Sequence, residues 1–205
     1  MFGQSAIDDC SNLTEGIQIQ EDSIAPYVSF VDKHRKIGAI QNSTSDFEIR
    51  YYVTPSLVNG GGVIVINCYQ GSLKAQRINY WFNPKKSYEK RKVKKVEVID
   101  LQPVTSWVAF IDSLKSLGFF TLPTMSKIRP KMKKYMTLKD GRTVEKRVEI
   151  MDGAIYTFEI KIGDKIRTFS YHSPMAWYRT YDNVRELKLA GEIQEHFVND
   201  LKKID

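Results

Sequence analysis

The 205-residue sequence contains few of the residue types that usually carry metal or nucleophilic chemistry. It has two cysteines, Cys10 and Cys68, and three histidines, His34, His172 and His196. Two cysteines are too few for a disulfide scaffold, and there is no paired Cys-x-x-Cys or His-Glu-x-x-His motif for zinc. Cys68 lies in an apolar run, where a buried thiol is the commoner outcome. A bridge to Cys10 stays open as the alternative.

Long hydrophobic runs are missing as well. No segment approaches the roughly 18 consecutive apolar residues that a membrane-spanning helix needs, so we predict no membrane span. Residues 1–6 resemble the cleavage end of a secretory signal peptide, although the basic and apolar parts that come before such an end are not in this sequence. Export to the periplasm or cell surface and a cytoplasmic location are therefore equal alternatives.

The residue patterns of enzymes are equally scarce. Ser170 and His172 share one face of a predicted strand, but they would stand about 6–7 Å apart, so no catalytic contact follows. Glu192 and His196 are one helical turn apart, a spacing that favours a surface ion pair over a metal site. The run Gly60-Gly61-Gly62 precedes a strand and not a helix, which favours a turn over a phosphate loop. We therefore predict no catalytic residue, metal ligand or cofactor, although a site made of distant carboxylates would escape this search.

The clearest structural signal is a β-hairpin from Ile155 to His172. Two alternating segments flank Gly163-Asp164, and a two-residue loop with glycine first favours a type II′ turn. The register that this turn predicts pairs Ile162 with Lys165, Phe158 with Phe169 and Tyr156 with Tyr171. The opposite face carries the polar residues Thr157, Glu159, Thr168 and Ser170. We predict that the aromatic face is covered and that the polar face is in water.

The remaining periodicities predict a single α+β domain over residues 26–205, after a mobile acidic arm at residues 1–25. Its mainly antiparallel sheet has about six strands built from hairpins. Two amphipathic helices, at about 105–117 and 182–203, pack on one sheet face and leave the other largely solvated. A second hairpin has Val65 opposite Ile78 and Val63 opposite Tyr80, and its apolar character on both faces predicts a place in the middle of the sheet. Asp140-Gly141 predicts the tip of a third, projecting hairpin.

The net charge of +7 is unevenly distributed along the chain. Residues 85–147 contain 17 Lys and Arg against 6 Asp and Glu, whereas residues 1–24 contain five acids and no base. Such asymmetry indicates the charge of a partner and not the fold.

We predict that the basic segments form the surface of a non-catalytic binding module. Its candidate binding residues are Lys85, Lys86, Lys90, Arg91, Lys92, Lys94, Lys95, Lys131, Lys133, Lys134, Trp177 and Tyr178. Exposed aromatics would add a contact surface, but we favour their folding back to plug the end of the sheet. The favoured partner is an acidic protein, and an immunity- or inhibitor-type role fits. The alternative is binding of nucleic acid, another anionic polymer or a membrane surface, with an enzyme as the weakest hypothesis.

Overall fold

The computed structural model describes residues 10–19, 37–83, 93–146 and 148–204. The strands, in chain order, are β1 (Phe47–Pro55), β2 (Gly60–Tyr69), β3 (Ser72–Phe82), β4 (Val93–Pro103), β5 (Tyr135–Thr137), β6 (Thr143–Glu145), β7 (Ala154–Ile162), β8 (Lys165–His172) and β9 (Leu201–Lys203). The α-helices are α1 (Cys10–Thr14), α2 (Trp107–Ser116), α3 (Met125–Ile128), α4 (Pro174–Thr180) and α5 (Arg185–Asn199), with 3-10 turns at Ile40–Asn42 and Arg129–Lys131.

Seven strands form one antiparallel sheet in the order β8-β7-β1-β2-β3-β4-β9, and β5 pairs with β6 in a separate ribbon. The predicted single α+β domain with a mainly antiparallel sheet is therefore confirmed. Of the arm predicted at residues 1–25, the structure describes residues 10–19. There, a disulfide from Cys10 to Cys68 joins α1 to β2, and Leu13 is buried.

The hairpin of β7 and β8 has the register that its turn predicts. Ile162 is paired with Lys165, Phe158 with Phe169 and Tyr156 with Tyr171. The rings of Phe158 and Phe169 stack with their centroids 5.1 Å apart. The local turn and the aromatic pairs are sufficient to fix this register because all of the contacts involved lie within 18 residues.

The predicted register of the second hairpin is wrong by two residues. Val63 is opposite Ile78 and Val65 is opposite Gln76, because the two-residue turn is formed by Gln70 and Gly71. Both turn residues have positive φ, +52° and +78°, as in a type I′ turn. A shift of two residues keeps each side chain on its predicted face. The predicted position of β2 and β3 inside the sheet is confirmed.

The predicted turn at the three glycines is also wrong. Gly60, Gly61 and Gly62 are the first residues of β2, paired with β3. A Cβ at Gly60 would lie 2.3 Å from the carbonyl oxygen of Tyr80. Glycine therefore permits a close approach of the two strands here, which a larger residue would prevent.

The two longest helices cover the same sheet face, as predicted. The Ser106 hydroxyl accepts a hydrogen bond from the Ala109 amide and caps α2 at its N-terminus, and Gly118 ends the helix with a φ of +69°. The second helix ends earlier than residue 203. It stops at Asn199, and β9 then pairs with the end of β4 at the edge of the sheet.

Aromatic rings form the centre of the core between the sheet and the helices. The ring of Tyr51 on β1 lies 5.0 Å from that of Phe158 and 4.9 Å from that of Phe197 on α5. Phe119, which follows α2, lies 5.8 Å from Phe197 and 5.3 Å from Phe158. Rings from the sheet and from the segments over it are thus in direct contact, and they fix the position of α5 on the sheet.

The polar face of the β7–β8 hairpin is largely buried, contrary to the prediction that it is in water. Only Ser170 of its four polar residues is exposed, whereas Thr157, Glu159 and Thr168 are buried. The 3-10 turn at Ile40–Asn42 lies against β7 on this side. Alternation identified the face correctly, but the segment that covers it is more than 100 residues away in sequence.

Candidate binding surface

The chain that follows α2 anchors a basic element near β8. Ile128 at the end of α3 is buried and Met132 packs against the core. Lys131 then forms an ion pair with Glu186 in the first turn of α5. Lys134 donates a hydrogen bond to the backbone carbonyl of Thr180, at 3.0 Å. Apolar packing and two lysines therefore hold the base of the element against the helices.

Beyond this base, β5 and β6 form a two-stranded ribbon. Tyr135 is opposite Glu145, and Met136 is opposite Val144. Arg142 donates hydrogen bonds to Asp140 from its backbone amide, at 3.1 Å, and from its side chain, at 2.8 Å. These bonds lower the pKa of the Asp140 carboxyl group. The predicted hairpin tip at Asp140-Gly141 is confirmed.

We call residues 127–146 the basic ribbon. This segment contains eight Lys or Arg residues and two acidic residues. All eight cations are exposed: Lys127, Arg129, Lys131, Lys133, Lys134, Lys139, Arg142 and Lys146. Lys133, Lys139 and Lys146 form no ion pair with any residue that the structure describes. The ribbon also presents Tyr135, 60% exposed, and Met136, 45% exposed.

One acid compensates part of this charge at the base of the basic ribbon. The hydrogen bond from Lys131 lowers the pKa of Glu186, and burial of the carboxyl group opposes this shift. Glu186 therefore remains ionised and also suits the positive N-terminal end of α5. The ion pair joins the ribbon to α5 and leaves the tip of the ribbon with its excess of positive charge.

Of the other predicted basic group, the structure describes Lys94 and Lys95, and these two lie apart from the basic ribbon. Lys94 and Lys95 are exposed on β4, where the Lys95 ammonium lies 4.9 Å from the centre of the Trp81 ring. In the sheet order, β4 is five strand spacings of about 4.8 Å from β8, the strand beside the ribbon's base. The predicted binding residues Lys85, Lys86, Lys90, Arg91 and Lys92 lie outside the described residues.

The two predicted aromatic binding residues lie in α4, a helix that the sequence did not predict. Trp177 and Tyr178 are half-buried and pack against the core. The ring of Trp177 also stacks on that of buried Tyr181, with centroids 5.9 Å apart. The favoured alternative, in which these aromatics fold back onto the sheet, agrees with this packing.

A buried ionic cluster, which the sequence did not predict, lies on the other sheet face. Arg50 forms an ion pair with Glu48 at 2.5 Å and lies 3.8 Å from Glu159, which accepts a hydrogen bond from Tyr52 at 2.7 Å. Burial lowers the pKa of Arg50, but Glu48 and Tyr52 outweigh this and raise it overall. Glu48 is 3% exposed and Glu159 is 1% exposed, so neither carboxylate is presented to a substrate. The Gly38 carbonyl also accepts a hydrogen bond from Arg50, which ties the segment around residue 38 to the sheet.

The histidine on α5 has a structural environment. His196 lies next to Asp200 and stacks on Phe110, with ring centroids 4.3 Å apart, whereas Glu192 pairs with Lys188 at 3.3 Å. The predicted pairing of Glu192 with His196 is therefore wrong, since each has a separate partner. Within residues 10–19, 37–83, 93–146 and 148–204, no group of three or more His, Cys, Asp or Glu side chains could hold a metal ion. In the same ranges, no helix has the length and apolar character to cross a membrane.

Comparison with known proteins found no family model that matches the chain, and neither a curated protein nor a solved structure that matches it.

Proposed function

We propose that this protein is a non-catalytic binding module whose basic ribbon docks on an acidic surface of a partner protein. The proposal is supported by exposed cations concentrated on an element that is held firmly at its base. Such a surface attracts an acidic partner over a distance of about one Debye length, roughly 8 Å at physiological salt. Lys131 and Lys134 already fix the ribbon to the helices. The ribbon therefore loses little conformational entropy when it docks on a partner.

The apolar residues of the basic ribbon favour a protein over an anionic polymer as the partner. Met136 and Val144 are directly opposite each other and form a small apolar pair on the ribbon. Tyr135 points to the other face of the ribbon and is well exposed. Protein interfaces typically combine an apolar centre, in which Tyr and Met are enriched, with a polar rim. Binding to a polymer backbone would need only the cations.

The disulfide between Cys10 and Cys68 supports an oxidising compartment as the place of action. Disulfides persist in the periplasm, at cell surfaces and in secreted proteins, and they are rare where thiols are kept reduced. The partner would therefore be an acidic protein of the same compartment.

A site-specific crosslinking experiment tests the partner. The full-length chain carries a photo-crosslinking benzoyl-phenylalanine in place of Met136, with the same group in place of Val98 as the matched control. Val98 is also exposed but lies on β4. We expect a discrete acidic protein to be crosslinked from position 136 and not from position 98.

The captured protein is then purified and titrated with variants of the chain. Tyr135→Ala should weaken binding at least tenfold, and so should joint reversal of Lys133, Lys139 and Lys146 to Glu. Reversal of Lys94 and Lys95 should change the affinity less than twofold. Equal effects of the two reversals would contradict the proposal. Binding of a 20-base-pair DNA duplex with a steep salt dependence, unaffected by Tyr135→Ala, would instead favour the anionic-polymer alternative.

A further inference from the structure

A cleft of about 250 Å³ lies between the sheet and the C-terminal end of α5. Two rows of cross-strand neighbours form its floor on the helix-covered face. One row contains Tyr51, Ile64 and Arg77, and the other contains Val53, Gly62 and Asn79. Val198 of α5 borders the cleft from above.

The cleft exists because one position in its floor has no side chain. Gly62 lies between Val53 on β1 and Asn79 on β3. A Cβ at Gly62 would lie 3.2 Å from the Oδ1 atom of Asn79, so even alanine would begin to fill this space. The neighbouring side chains Val53, Ile64 and Val198 give the cleft apolar walls.

Two hydrogen-bond donors in the cleft lack partners among the described residues. Tyr51 is 1% exposed, and its hydroxyl group makes no hydrogen bond. An unsatisfied buried hydroxyl group is costly and therefore uncommon in folded proteins. Arg77, which also lines the cleft, forms no ion pair or hydrogen bond in the part of the chain that the structure describes.

The phenol of Tyr51 stays protonated and is within electrostatic reach of Arg77. Burial raises the pKa of Tyr51, Tyr156 raises it further, and the positive charge of Arg77 opposes the rise. Both groups can therefore donate to the same acceptor.

We propose that this cleft binds a small apolar monocarboxylate, whose carboxylate accepts hydrogen bonds from Arg77 and from the Tyr51 hydroxyl group. The planar guanidinium fork of arginine can donate two parallel N–H bonds to the two oxygens of a carboxylate. The apolar body of the ligand lies against Val53 and Val198. This site is separate from the basic ribbon, and its ligand is a small molecule.

Size and charge narrow the class of ligand. A dry cavity of about 150 Å³ is large enough to bind benzene, so a cleft of about 250 Å³ accommodates one aromatic ring with a carboxylate. Glu97 lies beside the cleft residue Asn79, whose side-chain nitrogen donates to it at 3.4 Å. Among the described residues that line the cleft, Arg77 is the only cation, so a second carboxylate on the ligand would have no positive partner.

Benzoate is the probe that tests this site, with the neutral isostere benzamide as its partner. Both are titrated into the full-length protein, and binding is followed through backbone amide shifts in NMR spectra. We expect saturable benzoate binding with the largest shifts around Tyr51, Gly62 and Asn79, and at least tenfold weaker binding of benzamide.

Three variants separate recognition from folding. Arg77→Gln should weaken benzoate binding at least tenfold. Tyr51→Phe should weaken it severalfold and yet raise the Tm of the ligand-free protein, because it removes an unsatisfied hydroxyl group. Lys74→Gln removes an exposed cation on the opposite face of the same strand and should leave binding unchanged.

Three results would overturn the proposal: no saturable benzoate binding, benzamide binding as tightly as benzoate, or equal affinity of wild type and Tyr51→Phe. The Tyr51→Phe result decides even if Arg77→Gln does not fold. If the Tyr51 hydroxyl group had only a structural role, its removal would not lower the affinity for benzoate.

Discussion

The arginine at position 167 shows how one residue can hold a loop to the sheet. Arg167 is 0% exposed and lies on the helix-covered face of β8. It donates to the carbonyl of Phe120 at 2.6 Å and to that of Leu122, and its guanidinium lies 4.4 Å from the centre of the Phe169 ring. A single planar cation thus satisfies two carbonyls of the chain that leaves α2. This segment leads directly to the base of the basic ribbon.

We predict that Arg167→Met lowers the free energy of unfolding by about 3 kcal/mol, because at least two buried carbonyls lose their donor. Urea unfolding followed by circular dichroism measures the change. Lys165→Met on the same strand is the control, and it should stay within about 0.5 kcal/mol of wild type, since Lys165 is exposed. A loss below about 1 kcal/mol for Arg167→Met would show that the loop does not depend on this residue.

Residue alternation predicts which side chains share a face, but not whether that face is covered. Arg50 and Glu159 lie on the face that the sequence predicted to be in water. They are buried because the chain around Gly38 and Ser43 folds over them and bonds to Arg50, Glu48 and Lys161. No periodic pattern marks this covering segment, so a sequence analysis had no basis on which to predict it.

At the scale of single elements, the turn between β2 and β3 decides a register that the sequence predicted incorrectly. Gln70 has a φ of +52°, a conformation that costs an L-residue about 1 kcal/mol or more. Glutamine is uncommon in this conformation, and the predicted register placed the turn one residue later, at Gly71-Ser72. The β7–β8 turn has glycine at its first position and gave the correct register. Turn chemistry is therefore predictive only where the turn residues are the common ones.

This turn yields a pair of opposite predictions. Gln70→Asn should raise the free energy of unfolding by about 0.5 kcal/mol, because asparagine tolerates positive φ better. Gly71→Ala should lower it by about 1 kcal/mol through backbone strain alone, since a Cβ at Gly71 would meet no atom within 4 Å. Equilibrium denaturation of both variants measures these changes. Two changes of the same sign would contradict a type I′ turn at this position.

At the scale of the whole molecule, closeness in the sequence did not predict which basic segments lie together in the fold. Residues 94–95 and 127–146 belong to one basic third of the chain, yet α2 and the segment after it cross the sheet between them. The cleft was missed for a related reason: Tyr51, Gly62 and Arg77 come from three strands, and only the pairing of these strands makes them neighbours. The sequence contained two signals of this cleft: an arginine on the core side of a strand and a glycine inside a strand.

The disulfide is the longest covalent constraint on the described fold, since it links residues 58 apart in sequence. It connects α1 to β2 and so holds α1 on the core. In the chain-entropy account, closing a loop of this length stabilises the folded state by about 4 kcal/mol. Replacing both Cys10 and Cys68 with Ala should therefore lower the free energy of unfolding by up to about that amount.

Urea unfolding with and without a thiol reductant checks this prediction. The reductant should lower the unfolding midpoint of the wild-type protein towards that of the double variant, and it should leave the double variant unchanged. The β7–β8 hairpin and the aromatic core do not include either cysteine, so we expect the double variant to keep its near-ultraviolet circular dichroism at low urea. A wild-type midpoint that does not respond to the reductant, with free thiols detected in the folded protein, would contradict the bridge. It would also remove the support that the bridge gives to an oxidising compartment.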